Sequence, residues 1–333
     1  MCKITVVIPN WNGIQYLEVC LSSLRRQTFI EFNTIVVDNG STDGSIEKII
    51  SDFPEVELIA FDSNEGFSKA VNQGIYQSHS DYVVLLNNDV SLAEDWLEKL
   101  YFSMTTKEKV FSNASSMLNY YNQDYIDDLG DYYTVLGWAF KDGLSLRTGY
   151  YDGRHEIFSA CAGAAIYDRK LFDEIGLFDE DFFAYLEDVD LGFRALLSGY
   201  KNYLSKDATV YHIGSATTGG QYNKFKTYLT ARNSIYLLYK NMPLPLIVLN
   251  APFIIMGIII KVVFFGFKGL GYDFIKGLLE GFWGLPKFRA KRKVIMSKRK
   301  IKSWELQGLL VQNTIRYIYY YWHRINRASK GTS

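Results

Sequence analysis

Two groups of side chains in this 333-residue sequence have the types and spacing to do chemistry. The first is the acid run Glu187, Asp188 and Asp190 in LEDVDL, which follows the aromatics Phe182, Phe183 and Tyr185. A carboxylate within hydrogen-bond reach of a hydroxyl can take its proton. At a helix N-terminus the dipole favours the ionised form, whereas crowded acids push one pKa upward. The same residues would also cap a helix, and capping does not exclude catalysis. The second group is LLNNDV, residues 85–90, where an apolar run meets Asn87, Asn88 and Asp89. Such a run stops because a turn begins, or because something is held at its end. His212, in VYHIGS, stands near the end of the last apolar run and is either structural or a ligand. Chemistry requires a fold that brings residues 89, 188 and 212 to one cleft.

The first half of the chain has the pattern to build such a fold. KITVVIP, NTIVVD, VELIAF and DYVVLLNNDV are short apolar runs bounded by turn residues, and they read as strands. IQYLEVCLSSLRRQ places Leu17, Leu21 and Leu24 on one helical stripe, and SIEKIISDF and SKAVNQGIYQS are also helical. Strand and helix alternation with short connections predicts an α/β fold. Its sheet would be Rossmann-like, mostly parallel and flanked by helices on both faces. Ligands bind such sheets beyond the carboxyl ends of the strands. The polar residues after three strands, Asn10 with Asn12, Asp38 with Asn39, and Asn87 to Asp89, should therefore share one edge. Residues 111–160 are Tyr-rich and Gly-punctuated, a less regular excursion suited to an acceptor site. Order returns with a helix from about Glu187 to Ser198 and a last strand carrying His212.

Beyond residue 221 the character changes. Residues 213–333 hold 20 Lys and Arg against three acids, although the whole chain balances 36 against 36. LPLIVLNAPFIIMGIIIKVVFFGF is apolar for over twenty residues but interrupted by Asn250, Pro252 and Lys261. It could cross a bilayer or lie in its interface. KFRAKRKVIMSKRKIK then places nine basic residues in sixteen, the kind of run an anionic cytoplasmic leaflet attracts. No nucleic-acid-binding module is visible, so a membrane surface is the favoured partner and nucleic acid is not. The division is residues 1–221, with halves of about 1–110 and 111–221, and a helical, membrane-associating region 222–333. Three scattered cysteines exclude a disulfide framework or a zinc site. The opening apolar run is too short for a signal peptide, which predicts a cytosolic first domain.

Six stretches in order resemble the successive motifs of family-2 glycosyltransferases of the GT-A fold. They are VVIPNWNG, VVDNGSTDGS, NEGFSKAVNQGI, LLNNDV, GLFDEDFFAYLEDVDLGFRALLSGY and VYHIGSAT. The likeness is strongest to rhamnosyltransferase-like enzymes of bacterial surface polysaccharide synthesis, and it covers residues 3 to about 240. It implies an inverting, metal-dependent transfer of one sugar from a nucleoside diphosphate to a hydroxyl of a lipid-linked glycan, at the cytoplasmic face of a bacterial membrane. Asp89 would stand at the last position of the family's D-x-D element and, with His212, hold Mn²⁺ or Mg²⁺. The first position is Asn87, which puts it in doubt as a direct ligand. Asp188 would be the base and Glu187 would orient the acceptor. Pro9, Asn10, Asn12, Asp38, Asn64, Gly66, Asn72 and Asn88 would line the nucleotide-sugar pocket, with Asp38 on the base. Gly66 would allow close backbone approach. Arg232 would neutralise a diphosphate or be a solvated helix face. The donor would carry dTDP or UDP, with rhamnose on dTDP the leading choice. GGQYNKFKTY lacks the Q-x-x-R-W motif of processive synthases. Two alternatives stay open, a sugar nucleotidyltransferase and a non-catalytic membrane-tethered binder. PNWNG lacks the basic Gly-rich signature the former needs.

Overall fold

The computed structural model describes residues 2–150, 153, 155–214 and 222–328. The strands are β1 (Ile4–Asn10), β2 (Phe32–Asp38), β3 (Glu57–Ala60), β4 (Tyr82–Leu86), β5 (Val90–Leu92) and β6 (Val110–Asn119). They continue with β7 (Ile126–Asp128), β8 (Asp131–Tyr133), β9 (Ala139–Lys141), β10 (Glu156–Ile157), β11 (Ala164–Asp168) and β12 (Lys201–His212). The helices of the first two-thirds are α1 (Ile14–Arg25), α2 (Ser45–Asp52), α3 (Phe67–Gln77), α4 (Trp96–Thr105), α5 (Leu171–Ile175) and α6 (Glu187–Leu197). The last third adds α7 (Lys224–Asn241), α8 (Leu244–Phe267), α9 (Gly271–Gly284), α10 (Arg289–Lys298) and α11 (Ser303–Ala328).

The main sheet runs β10-β12-β6-β11-β4-β1-β2-β3, with β5 added to β12 and β7 to β6. Strands β3, β2, β1 and β4 are parallel, as the alternation of runs requires. Alternate residues of these strands enter opposite cores. Val7, Ile35, Val37 and Leu85 face one core, and Val6, Ile8, Val36 and Leu86 face the other. Beyond β4 the expectation of a mostly parallel sheet holds only in part. β11 runs antiparallel to both β4 and β6, whereas β12 runs parallel to β6, so the sheet is mixed. The connection to β11 is the irregular excursion rather than a crossover helix, and nothing imposes a parallel return. The pairing of β5 with β12 sets Val90 opposite His212, which brings the end of LLNNDV to the end of the last strand.

The last third is helical, as its composition predicts, but packing does not stop at residue 221. Phe288, Leu306 and Leu310 are fully buried in the same core as Val7 and Phe193. Each such side chain is worth about 2 kcal/mol of burial. α8 continues through Pro252 for 24 residues, about 36 Å. It is the one helix among the described residues long and apolar enough to cross a bilayer. Asn250, fully buried, exchanges amide hydrogen bonds with Gln307 at 2.8 and 2.9 Å, so this interruption is an internal clasp. Much of the basic run is also engaged by the protein's own acids and carbonyls, at or near its surface. Lys287 and Lys291 pair with Asp181, Lys291 also with Asp179, and Lys300 with Glu174. Arg292 donates to the carbonyls of Tyr239 and Met242.

Candidate functional site

A cleft of about 1280 Å³ opens along the carboxyl edge of β1 and β4, with α6 and the start of α7 across from it. Asp89 and Asp188 both line it, and His212 stands behind Asp89. The three residues expected to converge are brought together. Asn87, Asn88 and Asp89 form the bend between β4 and β5, so the turn and the candidate ligand are one structure. One oxygen of Asp89 lies 3.4 Å from His212 Nε2. The other is buried without a hydrogen-bond partner, as an oxygen awaiting a cation would be. His212 Nδ1 bonds Asp127 at 2.9 Å. Burial alone would lower the pKa of His212, but Asp127 and Asp89 more than offset this and push it up to about 9.

Opposite, α6 starts from a contorted loop. Phe183, Tyr185 and Leu186 all have φ between 64° and 70°. Left-handed non-glycine residues cost roughly 1–3 kcal/mol each, so something must hold this loop. The holder is Asn233, fully buried, whose Nδ2 lies 3.0, 2.9 and 2.8 Å from the carbonyl oxygens of Phe182, Ala184 and Tyr185. Arg232 adds bonds to the carbonyls of Asp181 and Phe182. Replacing Asn233 by leucine is therefore expected to lower the unfolding free energy by about 3 kcal/mol, because buried carbonyls lose their donor. Chemical denaturation measures this, and a change below about 1 kcal/mol would mean the loop is held by other means.

The loop delivers Glu187 and Asp188 to the cleft. Glu187 is 7% exposed and its Oε2 has no hydrogen-bond partner. Burial, then the charge of Asp188, raises its pKa well above the ordinary carboxylate range. Asp188 accepts from the backbone N–H of Val189 at 2.8 Å and of Ala162 at 3.4 Å. Burial raises its pKa too, and these N–H groups and Lys141 partly counter the effect.

The expected nucleotide residues divide. Pro9, Asn10, Asn64 and Asn88 line the cleft. Asn10 is a hub there, accepting from Asn88 at 2.6 Å and donating to Asp38 at 2.8 Å. Asp38 itself is fully buried and outside the cleft lining. Its second oxygen accepts from the N–H of Ser41, so it shapes the loop while its neighbour Asn39 lines the cleft. Asn12 likewise ties its loop to Thr42 and is not a cleft residue. Asn72 faces away, bonding the backbone of Phe178 in both directions. Gly66 has no Cβ because Phe183 would lie 2.6 Å from it, so its close approach is to protein. Arg232 is committed to the loop and does not line the cleft, whereas Lys224 and Lys226 do. Residues 215–221, on which part of the Q-x-x-R-W comparison falls, lie outside the described residues.

Sequence reasoning missed Asp127, Asp131 and Lys141. The signal was IDDLGD, three acids in six residues of an otherwise weakly patterned excursion. Lys141 lies 3.1 Å from Asp128 and 3.9 Å from Asp127, so charge runs continuously from Asp89 through His212 toward the acids beside Asp188.

The profile of Glycosyl transferase family 2 matches residues 5–176. Over 244 residues the chain is 26% identical to N-acetylglucosaminyl-diphospho-decaprenol L-rhamnosyltransferase of Mycobacterium tuberculosis, covering 64% of this chain and 77% of that one. Over 225 residues it is 31% identical to glycosyltransferase GlyA of Streptococcus pneumoniae serotype 4, covering 63% of this chain but only 30% of GlyA. Its fold is like that of the mannosyltransferase PcManGT from Pyrobaculum calidifontis, solved with GDP-Man and Mn²⁺. That likeness has a TM-score of 0.52 at 15% identity, over 92% of this chain and 78% of the other. S. aureus TarS 1-349, solved with UDP, gives a TM-score of 0.52 at 17% identity over 89% and 88%.

Proposed function

The chain belongs to glycosyl transferase family 2, and from that premise we propose that it moves one sugar, with inversion, from a nucleoside diphosphate to a hydroxyl of a lipid-linked glycan. The observation that carries this reading is that Asp89 and Asp188 face one cleft from opposite walls, with His212 against Asp89. Asp188 takes the proton of the acceptor hydroxyl as its oxygen bonds to the anomeric carbon, and the bond from that carbon to the diphosphate oxygen breaks. No second carboxylate need act as nucleophile, which is why one displacement with inversion is the economical outcome. Glu187, buried and partly unbonded, orients the acceptor. Asp89 and His212 would hold a divalent cation, Mn²⁺ or Mg²⁺, which supplies charge neutralisation at the departing diphosphate. Lys226, partly buried with its ammonium 5.5 Å from the Tyr185 ring centroid, takes the diphosphate-neutralising role first expected of Arg232. Asn10, Asn39, Asn64 and Asn88 contact the nucleoside. Rhamnose on dTDP is the leading donor, because the Mycobacterium tuberculosis relative is named a rhamnosyltransferase.

The enzyme would rest on the cytoplasmic surface of a membrane rather than pass through it. α8 meets the protein through Leu246, Asn250, Ile254 and Gly257, one stripe along most of its length. Phe253, Met256, Ile260, Phe264 and Phe267 face outward, as does Trp283 of α9. An apolar face this large marks a contact surface. A helix fastened sideways to the catalytic body suits immersion in the interface.

A panel of nucleotide sugars with Mn²⁺, scored by thermal shift and by transfer of radiolabel to membrane extract, tests the reading. The expected result is donor-specific stabilisation and labelled lipid. Pyrophosphate-dependent conversion of the donor to a nucleoside triphosphate and a sugar 1-phosphate would replace it with nucleotidyl transfer, and tight donor binding without turnover would make the chain a binder.

A further inference from the structure

The hairpin of β8 and β9 has two ends with different surroundings. Its open end lines the cleft with Asp131, Ala139, Phe140 and Lys141. Its tip is held by the helices that carry the exposed apolar face. The N–H of Val135 bonds Thr314 at 3.1 Å, and Asn313 bonds the carbonyl of Tyr133 at 3.0 Å. Trp138 packs on Tyr317 and lies under the ammonium of Lys261. Gly257 of α8 passes so close that a Cβ there would lie 2.7 Å from the carbonyl oxygen of Leu136.

The polar groups at the open end are unused by the reaction as derived so far. Asp131 is 5% exposed and turns its small exposed surface to the cleft. Beside it in the cleft, Glu187 keeps a buried oxygen without a partner. A buried oxygen left unbonded, as this one is, costs about 1–3 kcal/mol and is a place for a ligand to bond. Asp128, Asp131 and Cys161 cluster within 4.8 Å, but the Lys141 ammonium already sits 3.1 Å from Asp128, so this is no cation site. Burial, then Asp128 and Asp188, raises the pKa of Asp131 well above the usual carboxylate range. Its carboxyl shares the cleft wall with the Lys141 ammonium.

Resting on the proposed transferase reading, we propose that Asp131 and Lys141 are positioning residues that grip the acceptor sugar beside Asp188. A neutral sugar ring with two adjacent hydroxyls fits this pair, because one hydroxyl bonds the Asp131 carboxyl and the next accepts from the Lys141 ammonium while the reacting hydroxyl faces Asp188. The tip contacts with α8 and α11 set the grip relative to the apolar face. The sugar is thereby met at a fixed height above the lipid that carries it.

The test is Asp131→Ala with Lys141→Met as a second variant, each removing the hydrogen-bonding group. The donor is the one found in the panel, and the acceptor is farnesyl-diphospho-N-acetylglucosamine, or titrated membrane extract where the wild type does not use it. The expected result is an acceptor KM raised about tenfold in both variants with donor affinity unchanged, the latter also reporting that the protein is folded. An unchanged acceptor KM, or donor affinity falling in parallel, would overturn the grip and leave the transferase intact. Absence of transfer by the wild type itself would overturn the parent reading.

Discussion

Asp188→Asn is expected to cut the transfer rate about a thousandfold, within the range a positioned base contributes, while nucleotide-sugar binding persists. The amide retains the shape of the carboxylate and can still accept from the N–H of Val189, so the start of α6 keeps its geometry. What it cannot do is accept the acceptor's proton. The wild-type rate should fall as pH drops through the Asp188 pKa, which lies above the ordinary carboxylate value because of burial. Only the ionised form is a base, and that acid limb should vanish in the variant. Steady-state rates across pH and a donor thermal shift make both measurements. Activity within tenfold of wild type would hand the role of base to a neighbour such as Glu187.

The second large effect is expected at Asp89. Asp89→Ala removes the buried oxygen that has no partner in the protein, and with it the anchor for the cation. Neutralisation of a departing diphosphate is worth several kcal/mol, so the rate should again drop about a thousandfold, now together with metal-dependent donor binding. Mn²⁺ affinity of the wild type carries a further signature. His212, with its pKa pushed up to about 9, is protonated at neutral pH and must lose that proton to bind metal. Affinity should therefore rise about tenfold per pH unit and level off above about pH 9. Calorimetry in buffers of different ionisation enthalpy counts the released proton. A flat affinity from pH 6 to 9 would exclude His212 as a ligand.

How legible was this in the sequence? The parallel half was, because β1, β2 and β4 are continuous apolar runs and their polar ends must share an edge. The convergence of Asp89 with His212 was legible only through resemblance, since it depends on β5 pairing with β12. The mixed half was not, because strands of two or three residues such as β7 and β10 are too short to show a period. The expected site residues that do not line the cleft share one cause. Asn12, Asp38, Gly66, Asn72 and Arg232 sit in motifs, but a motif residue can serve the loop that holds the ligand rather than line the cleft. Asn233 illustrates this best. It follows Arg232 in ARN, and its work is to keep three left-handed residues in place.

The sheet domain and the helical third share one interior, and this limits how the protein can be simplified. Trimming at residue 221 to remove the greasy helices would also remove Asn233 from beneath the loop, and Phe288, Leu306 and Leu310 from the core. A water-soluble form is better sought by polar replacement of outward side chains such as Phe267 and Trp283, which are 90% and 83% exposed.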